Sequence, residues 1–245
     1  VANDPSDAQA WNDLGHFLRL DNRPTEALAA FNDAYKHDNE SVEVNYNLGR
    51  VHLALGNADN AKRAFDRVLQ PSPAWKQTLN DSYAKIATMH GDSAVQARNW
   101  SAAIGHFTNS DNLRSNVDVQ QKLKQAYIEQ LRHLLTHDGN DKQAELLFGE
   151  AGKKFPNDVP SISKSFAEAW TAWADAQAKV TAQDFEAKRD RLKKAWVYDR
   201  SAGNKKRFIE AVVRLMEVYA SMQNKKKEAG LEYADALRYA TGDKV

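Results

Sequence analysis

The 245-residue chain has no cysteine. A disulfide framework, a thiolate zinc site and a cysteine nucleophile are therefore excluded, and the redox compartment stays open. Proline is scarce: six residues, all before Ser161, and none inside a long amphipathic stretch. No apolar run approaches the ~18 residues that cross a bilayer, so no membrane span is expected. An excess of one charge is missing too, with 34 basic against 33 acidic side chains, and such a balance predicts no global attraction to nucleic acid. Strand signals are nearly absent, because no segment sustains a period-2 alternation of Val, Ile and aromatic residues.

What the chain does contain is helix-forming composition and a 3.6-residue period. Apolar residues recur at i, i+3, i+4 and i+7, as in Trp11, Leu14, Phe17 and Leu18, and again in Phe208, Val212, Leu215 and Tyr219. An all-α fold follows. Sliding the sequence by 34 residues superposes Leu14 on Leu48, Gly15 on Gly49, Ala27 on Ala61 and Phe31 on Phe65. A mid-helix glycine costs ~1 kcal/mol relative to alanine, which is tolerable where a neighbouring helix must approach the backbone. The second-helix pattern returns as Ala103-x3-Phe107 and Ala144-x3-Phe148, at steps of 42 and 41 residues. The extra residues are expected in lengthened first helices, about residues 74–96 and 116–137, with Gly91 a candidate break in the former.

Trp11-x2-Leu14-Gly15, followed by Ala27-x3-Phe31, resembles the signature of the tetratricopeptide repeat family. The second copy, Asn45-Tyr46-Asn47-Leu48-Gly49 with Gly56, Ala61-x3-Phe65 and Pro73, lacks the tryptophan but keeps the loop glycine and closing proline. The resemblance is clearest over residues 8–73, looser to about 156, and fades afterwards. It implies a right-handed α-α superhelix, a solenoid of about six hairpins and some twelve helices over residues 1–245. Repeats would occupy 1–156, and longer, divergent, basic hairpins, serving as caps, 157–245. Thr181-x-x-Asp184 marks an expected helix start in that second part.

The resemblance also implies a concave face lined by first helices and a role as a non-enzymatic scaffold or adaptor holding a partner's peptide or helix. The groove positions it assigns are Gln9, Asn12, His16 and Arg19, then Glu43, Tyr46, Asn47, Arg50 and Leu53. Asn12, His16, Arg19, Tyr46, Asn47 and Arg50 are the expected contacts, and Arg19 and Arg50 can fork onto a carboxylate. The family's chaperone-tail receptors clamp two carboxylates with Lys, Asn, Asn, Lys and Arg; only Asn47 matches that set.

Other constellations carry less. Phe166, Trp170 and Trp173 form an i, i+4, i+7 stripe that would clasp a peptide or stack bases, although such a stripe is more often core. His133-x-x-x-His137 has the spacing of two metal ligands but lacks a following glutamate, so the favoured reading is a helix-end interaction. No catalytic, cofactor or metal site is expected. Charge is uneven: residues 1–72 carry 7 basic and 11 acidic groups, net −4, whereas residues 179–245 carry 16 and 10, net +6. The basic end opens two alternatives, binding of RNA or an acidic surface and head-to-tail self-association with the acidic beginning; a third, a regulatory piece of a larger enzyme, is kept open by the absence of an initiator methionine. A chain without cysteine that opens on Val1 suits a matured bacterial periplasmic or envelope protein slightly better than a cropped cytosolic one.

Overall fold

The computed structural model describes residues 4, 6–70, 73–176, 182–222 and 225–241. Twelve α-helices and no strand are found among them. The chain divides into two compact units, residues 1–126 and 127–245, with the division inside one helix.

In the first unit, α1 (Ala8–Leu20) pairs with α2 (Pro24–His37), α3 (Val42–Ala54) with α4 (Ala58–Leu69), and α5 (Lys76–Gln96) with α6 (Trp100–Leu113). Starts are written in the sequence. The Asp7, Ser41 and Asn99 side chains accept from the backbone N–H three residues on, and α2 begins on Pro24. Each of the three hairpin turns holds one residue with positive φ: Asn22 at 58°, Gly56 at 80° and Arg98 at 54°. Only Gly56 adopts that region without a Cβ penalty.

The repeat acts through one lock used three times. A Cβ on Gly15 would lie 2.6 Å from Phe31, one on Gly49 2.4 Å from Phe65, and one on Gly91 2.4 Å from Phe107. Each glycine precedes its phenylalanine by sixteen residues, and each ring is buried against the first helix of its own hairpin. Gly91 therefore does not break α5; it is the third copy of the lock. The third repeat differs because α5 has 21 residues where α1 and α3 have 13, an eight-residue extension at its N-terminal end. Two apolar clusters hold these hairpins together. Phe31, Ala34, Val44, Leu48 and Val51 join α2 to α3, and Phe65, Val68, Leu79 and Ile86 join α4 to α5. Burial at this scale is the main stabilising term, about 1.5–3 kcal/mol for each large apolar side chain.

Helix α7 (Val117–Thr136) runs from the first unit into the second, which continues with α8 (Asp141–Lys154), α9 (Val159–Ala176), α10 (Ala182–Tyr198), α11 (Ala202–Ser221) and α12 (Lys226–Thr241). Successive helices from α8 to α12 pack on one another. Thr181 lies outside the described residues, and Asp184 is in the first turn of α10. Trp196 stacks on Phe208 at 6.2 Å within a core that also holds Ala174, Leu192 and Val212. Among the described residues no helix is long and apolar enough to cross a membrane.

Candidate functional site

The groove positions inferred from the repeat fall on α1 and α3, and they divide by burial. Asn12 and Asn47 are 1% and 4% exposed. Asn47 Nδ2 donates to Asn12 Oδ1 at 3.0 Å, and Asn12 Nδ2 donates to Glu43 Oε1 at 3.0 Å. Both asparagines are thus enclosed, and Asn12 holds the Glu43 carboxylate at the exposed end of the relay. A buried amide without a partner costs ~1–3 kcal/mol, so the chain of bonds also fixes the register of α1 against α3. The neighbouring Asn45, 1% exposed, caps local backbone by donating to the Asn39 and Ser41 carbonyls.

His16 is exposed, while Arg19, Tyr46 and Arg50 are half-buried. The Arg50 guanidinium lies 5.5 Å from the Tyr46 ring centre, and that ring tilts against Trp75 at 4.9 Å. Tyr46 therefore supports Arg50 from below as part of the α4–α5 apolar cluster. No carboxylate pairs with Arg19 or Arg50 among the described residues, and Arg19 Nε is buried without an acceptor. Burial lowers the Arg19 pKa, and the nearby Arg50 charge lowers it further. Two guanidiniums thus share one surface, with no carboxylate paired to either among the described residues.

The aromatic stripe belongs to the interior. Phe166 and Trp170 are fully buried, and Phe148 stacks on Phe166 at 5.0 Å. Arg191, 8% exposed, lies 3.4 Å over the Trp173 ring and donates to Asp141 Oδ1 at 2.6 Å. Trp170 Nε1 has no acceptor; Lys194 Nζ stands 4.8 Å over its ring instead. Phe166 and Trp170 have no exposed face to offer a partner, and Trp173 spends its ring on Arg191.

Four of the seven histidines form two stacked pairs. His133 and His137 lie 4.8 Å apart, with His133 Nδ1 3.3 Å from Asp138 and His137 Nδ1 2.7 Å from Thr136 Oγ1. His90 and His106 lie 5.4 Å apart beside a cavity of about 450 Å³ between α4, α5 and α6. Burial, and then the His90 charge, lower the His106 pKa, and burial alone lowers that of His52. Among the described residues no three His, Asp or Glu side chains converge as a metal site.

The cations of the basic C-terminal part are largely engaged. Arg207 pairs with Asp175 at 2.7 Å, Lys194 with Glu145 at 2.6 Å, Lys206 with Glu210 at 3.9 Å and Lys225 with Glu228 at 3.5 Å, and Arg189 reaches Glu232. Sequence alone showed the charge surplus there but not its pairing. It equally missed Gly91 as a repeat position, although the sixteen-residue Gly–Phe spacing was present in the sequence.

A family model for the tetratricopeptide repeat matches residues 18–79. Over residues 18–79 the chain carries the tetratricopeptide repeat. The matched segment includes the α2–α3 cluster, most of the α4–α5 cluster and the Gly49–Phe65 lock. No curated protein matches the sequence. Among solved structures, similar chains include TTC0263, a thermophilic tetratricopeptide protein of Thermus thermophilus, at 17% identity and TM-score 0.34, covering 84% of this chain and 99% of that one. YrrB, a tetratricopeptide protein with an unusual peptide-binding site, matches at 16% identity and TM-score 0.34, covering 83% and 92%. The TPR2AB domain of yeast Sti1, in a pHSP90 complex, matches at 16% identity and TM-score 0.33, covering 97% and 95%.

Proposed function

We propose that the chain is a non-catalytic protein-interaction scaffold whose α1–α3 face binds a peptide segment of a partner protein. Tetratricopeptide repeats form a family of such scaffolds, their stacked hairpins offering extended binding surfaces. The observation that carries the reading is the guanidinium pair Arg19 and Arg50, half-buried beside Tyr46 and without a carboxylate. Unpaired cations on a rigid, partly desolvated surface are poised for a partner's acceptors, and rigid helices lose little entropy on binding.

The alternative of an anionic partner at the basic C-terminal part draws less support, because Arg189, Lys194, Lys206, Arg207 and Lys225 are already paired with carboxylates. Head-to-tail association of the two ends and a role beside an outside catalytic domain have no specific observation in their favour. The test is affinity capture with mass spectrometry, run in parallel on wild type and on the Arg19→Glu/Arg50→Glu variant, with helicity checked by circular dichroism. Partners retained by wild type and lost by an equally helical variant are expected. An unchanged partner set would refute the reading.

A further inference from the structure

The α1–α3 face carries two fixed charges of opposite sign. At one end is Glu43, exposed and acidic. Its Oε1 accepts from Asn12, Asn12 accepts from Asn47, and both amides are buried, so the carboxylate is held in place by a relay that leaves its outer side to solvent. No cation of the chain pairs with it among the described residues. At the other end, seven residues along α3, is Arg50, joined by Arg19 from α1. A buried Arg19 Nε without an acceptor shows that the protein itself does not complete this end. Seven residues of helix rise about 10 Å.

Fixed charges of this kind select by sign. An opposite charge in the ligand gains an interaction that costs the receptor no reorganisation, and a like charge is rejected. Because Asn47 donates to Asn12 and Asn12 donates to Glu43, the ligand meets a carboxylate where two amide donors would otherwise stand.

We propose that this face reads a charge pair in its partner: a Lys or Arg against Glu43 and an Asp or Glu against Arg19 and Arg50. In a polyproline II segment, with three residues per turn and a rise of about 3.1 Å per residue, residues three positions apart lie on one face about 9 Å from each other, which matches this separation. The partner motif is thus a basic and an acidic residue separated by two others. The inference rests on the reading that the α1–α3 face takes a partner segment, and it adds the chemistry of that segment.

The probe is a random dodecapeptide library displayed on phage, selected against the full chain and against its Glu43→Gln and Arg50→Glu variants. Glu43→Gln keeps an acceptor for Asn12, so the relay and the fold are preserved, as circular dichroism will confirm. Wild type is expected to enrich peptides with the basic-x-x-acidic spacing or its reverse. Glu43→Gln should lose the basic preference alone, and Arg50→Glu the acidic one. A synthetic peptide from the wild-type selection should bind Arg50→Glu at least tenfold more weakly, and exchanging its acidic residue for Lys should restore affinity. Enriched peptides that compete at this face but show no charge pattern, and keep their affinity for both variants, would overturn this inference and leave the peptide-binding reading standing. Failure to enrich any peptide would overturn both.

Discussion

Replacing Gly91 by alanine tests the repeated lock at the copy that departs most from the sequence pattern. The added methyl would lie 2.4 Å from Phe107 Cε1 and 2.6 Å from Cδ1, where carbon atoms settle at about 3.5–4.0 Å. Relief requires a shift of roughly 1 Å by a ring that is 1% exposed. Overpacking a core in this way costs ~1–3 kcal/mol, and a contact this short belongs at the upper end. Alanine returns ~1 kcal/mol of helix propensity. The net expectation is a loss of about 1–2 kcal/mol. Gly105, on the partner helix α6, is the control: a Cβ there meets nothing within 4 Å, so Gly105→Ala should gain about 0.5–1 kcal/mol. Urea unfolding followed by circular dichroism measures both, and Phe107→Leu in the Gly91→Ala background should recover part of the loss as a positive coupling. If Gly91→Ala proves as stable as Gly105→Ala, the lock is not what constrains the repeat.

The turns supply a second prediction: Arg98→Gly relieves a left-handed residue that bears a Cβ and should stabilise by about 0.5–1 kcal/mol in the same assay, whereas Gly56→Ala should destabilise. Asn12→Leu removes the middle of the relay and leaves the Asn47 amide buried without its acceptor, so a loss of ~1–3 kcal/mol is expected, much of it recovered in the Asn12→Leu/Asn47→Leu double variant. For pH, His52 and His106 have folded pKa values below the ordinary ~6.5, so the unfolded chain binds protons first. Their contribution is complete above that value and is lost as pH falls through the lowered folded values. Melting temperature should therefore drop as pH falls below the ordinary histidine value of ~6.5, and His52→Gln with His106→Gln should flatten the slope; an unchanged slope would contradict the assignment.

The helices were legible because the 3.6-residue period acts locally. The 34-residue repeat was legible for the same reason that it packs: Gly15 and Phe31, or Gly49 and Phe65, touch within one hairpin, so their spacing survives in the sequence. The third copy was obscured by eight residues added to the start of α5, which shift the period but leave the sixteen-residue Gly91–Phe107 spacing intact. The site was legible only as a set of positions. The resemblance to the repeat put Asn12 and Asn47 on the groove side, but their enclosure depends on how closely α1 approaches α3, and the Asn12–Glu43 and Asn47–Asn12 bonds join residues 31 and 35 positions apart. The aromatic stripe illustrates the same gap: periodicity placed Phe166, Trp170 and Trp173 on one face, and only tertiary packing buries that face and brings in Arg191.

The central claim is that the α1–α3 face, and not the basic C-terminal part, binds the partner. Titrating a captured partner segment against wild type, Arg50→Glu and a Lys205→Glu/Lys206→Glu variant of the full chain, at one salt concentration, tests it most directly. Affinity should fall at least tenfold for Arg50→Glu and stay within twofold for the C-terminal variant. The reverse order would contradict the account.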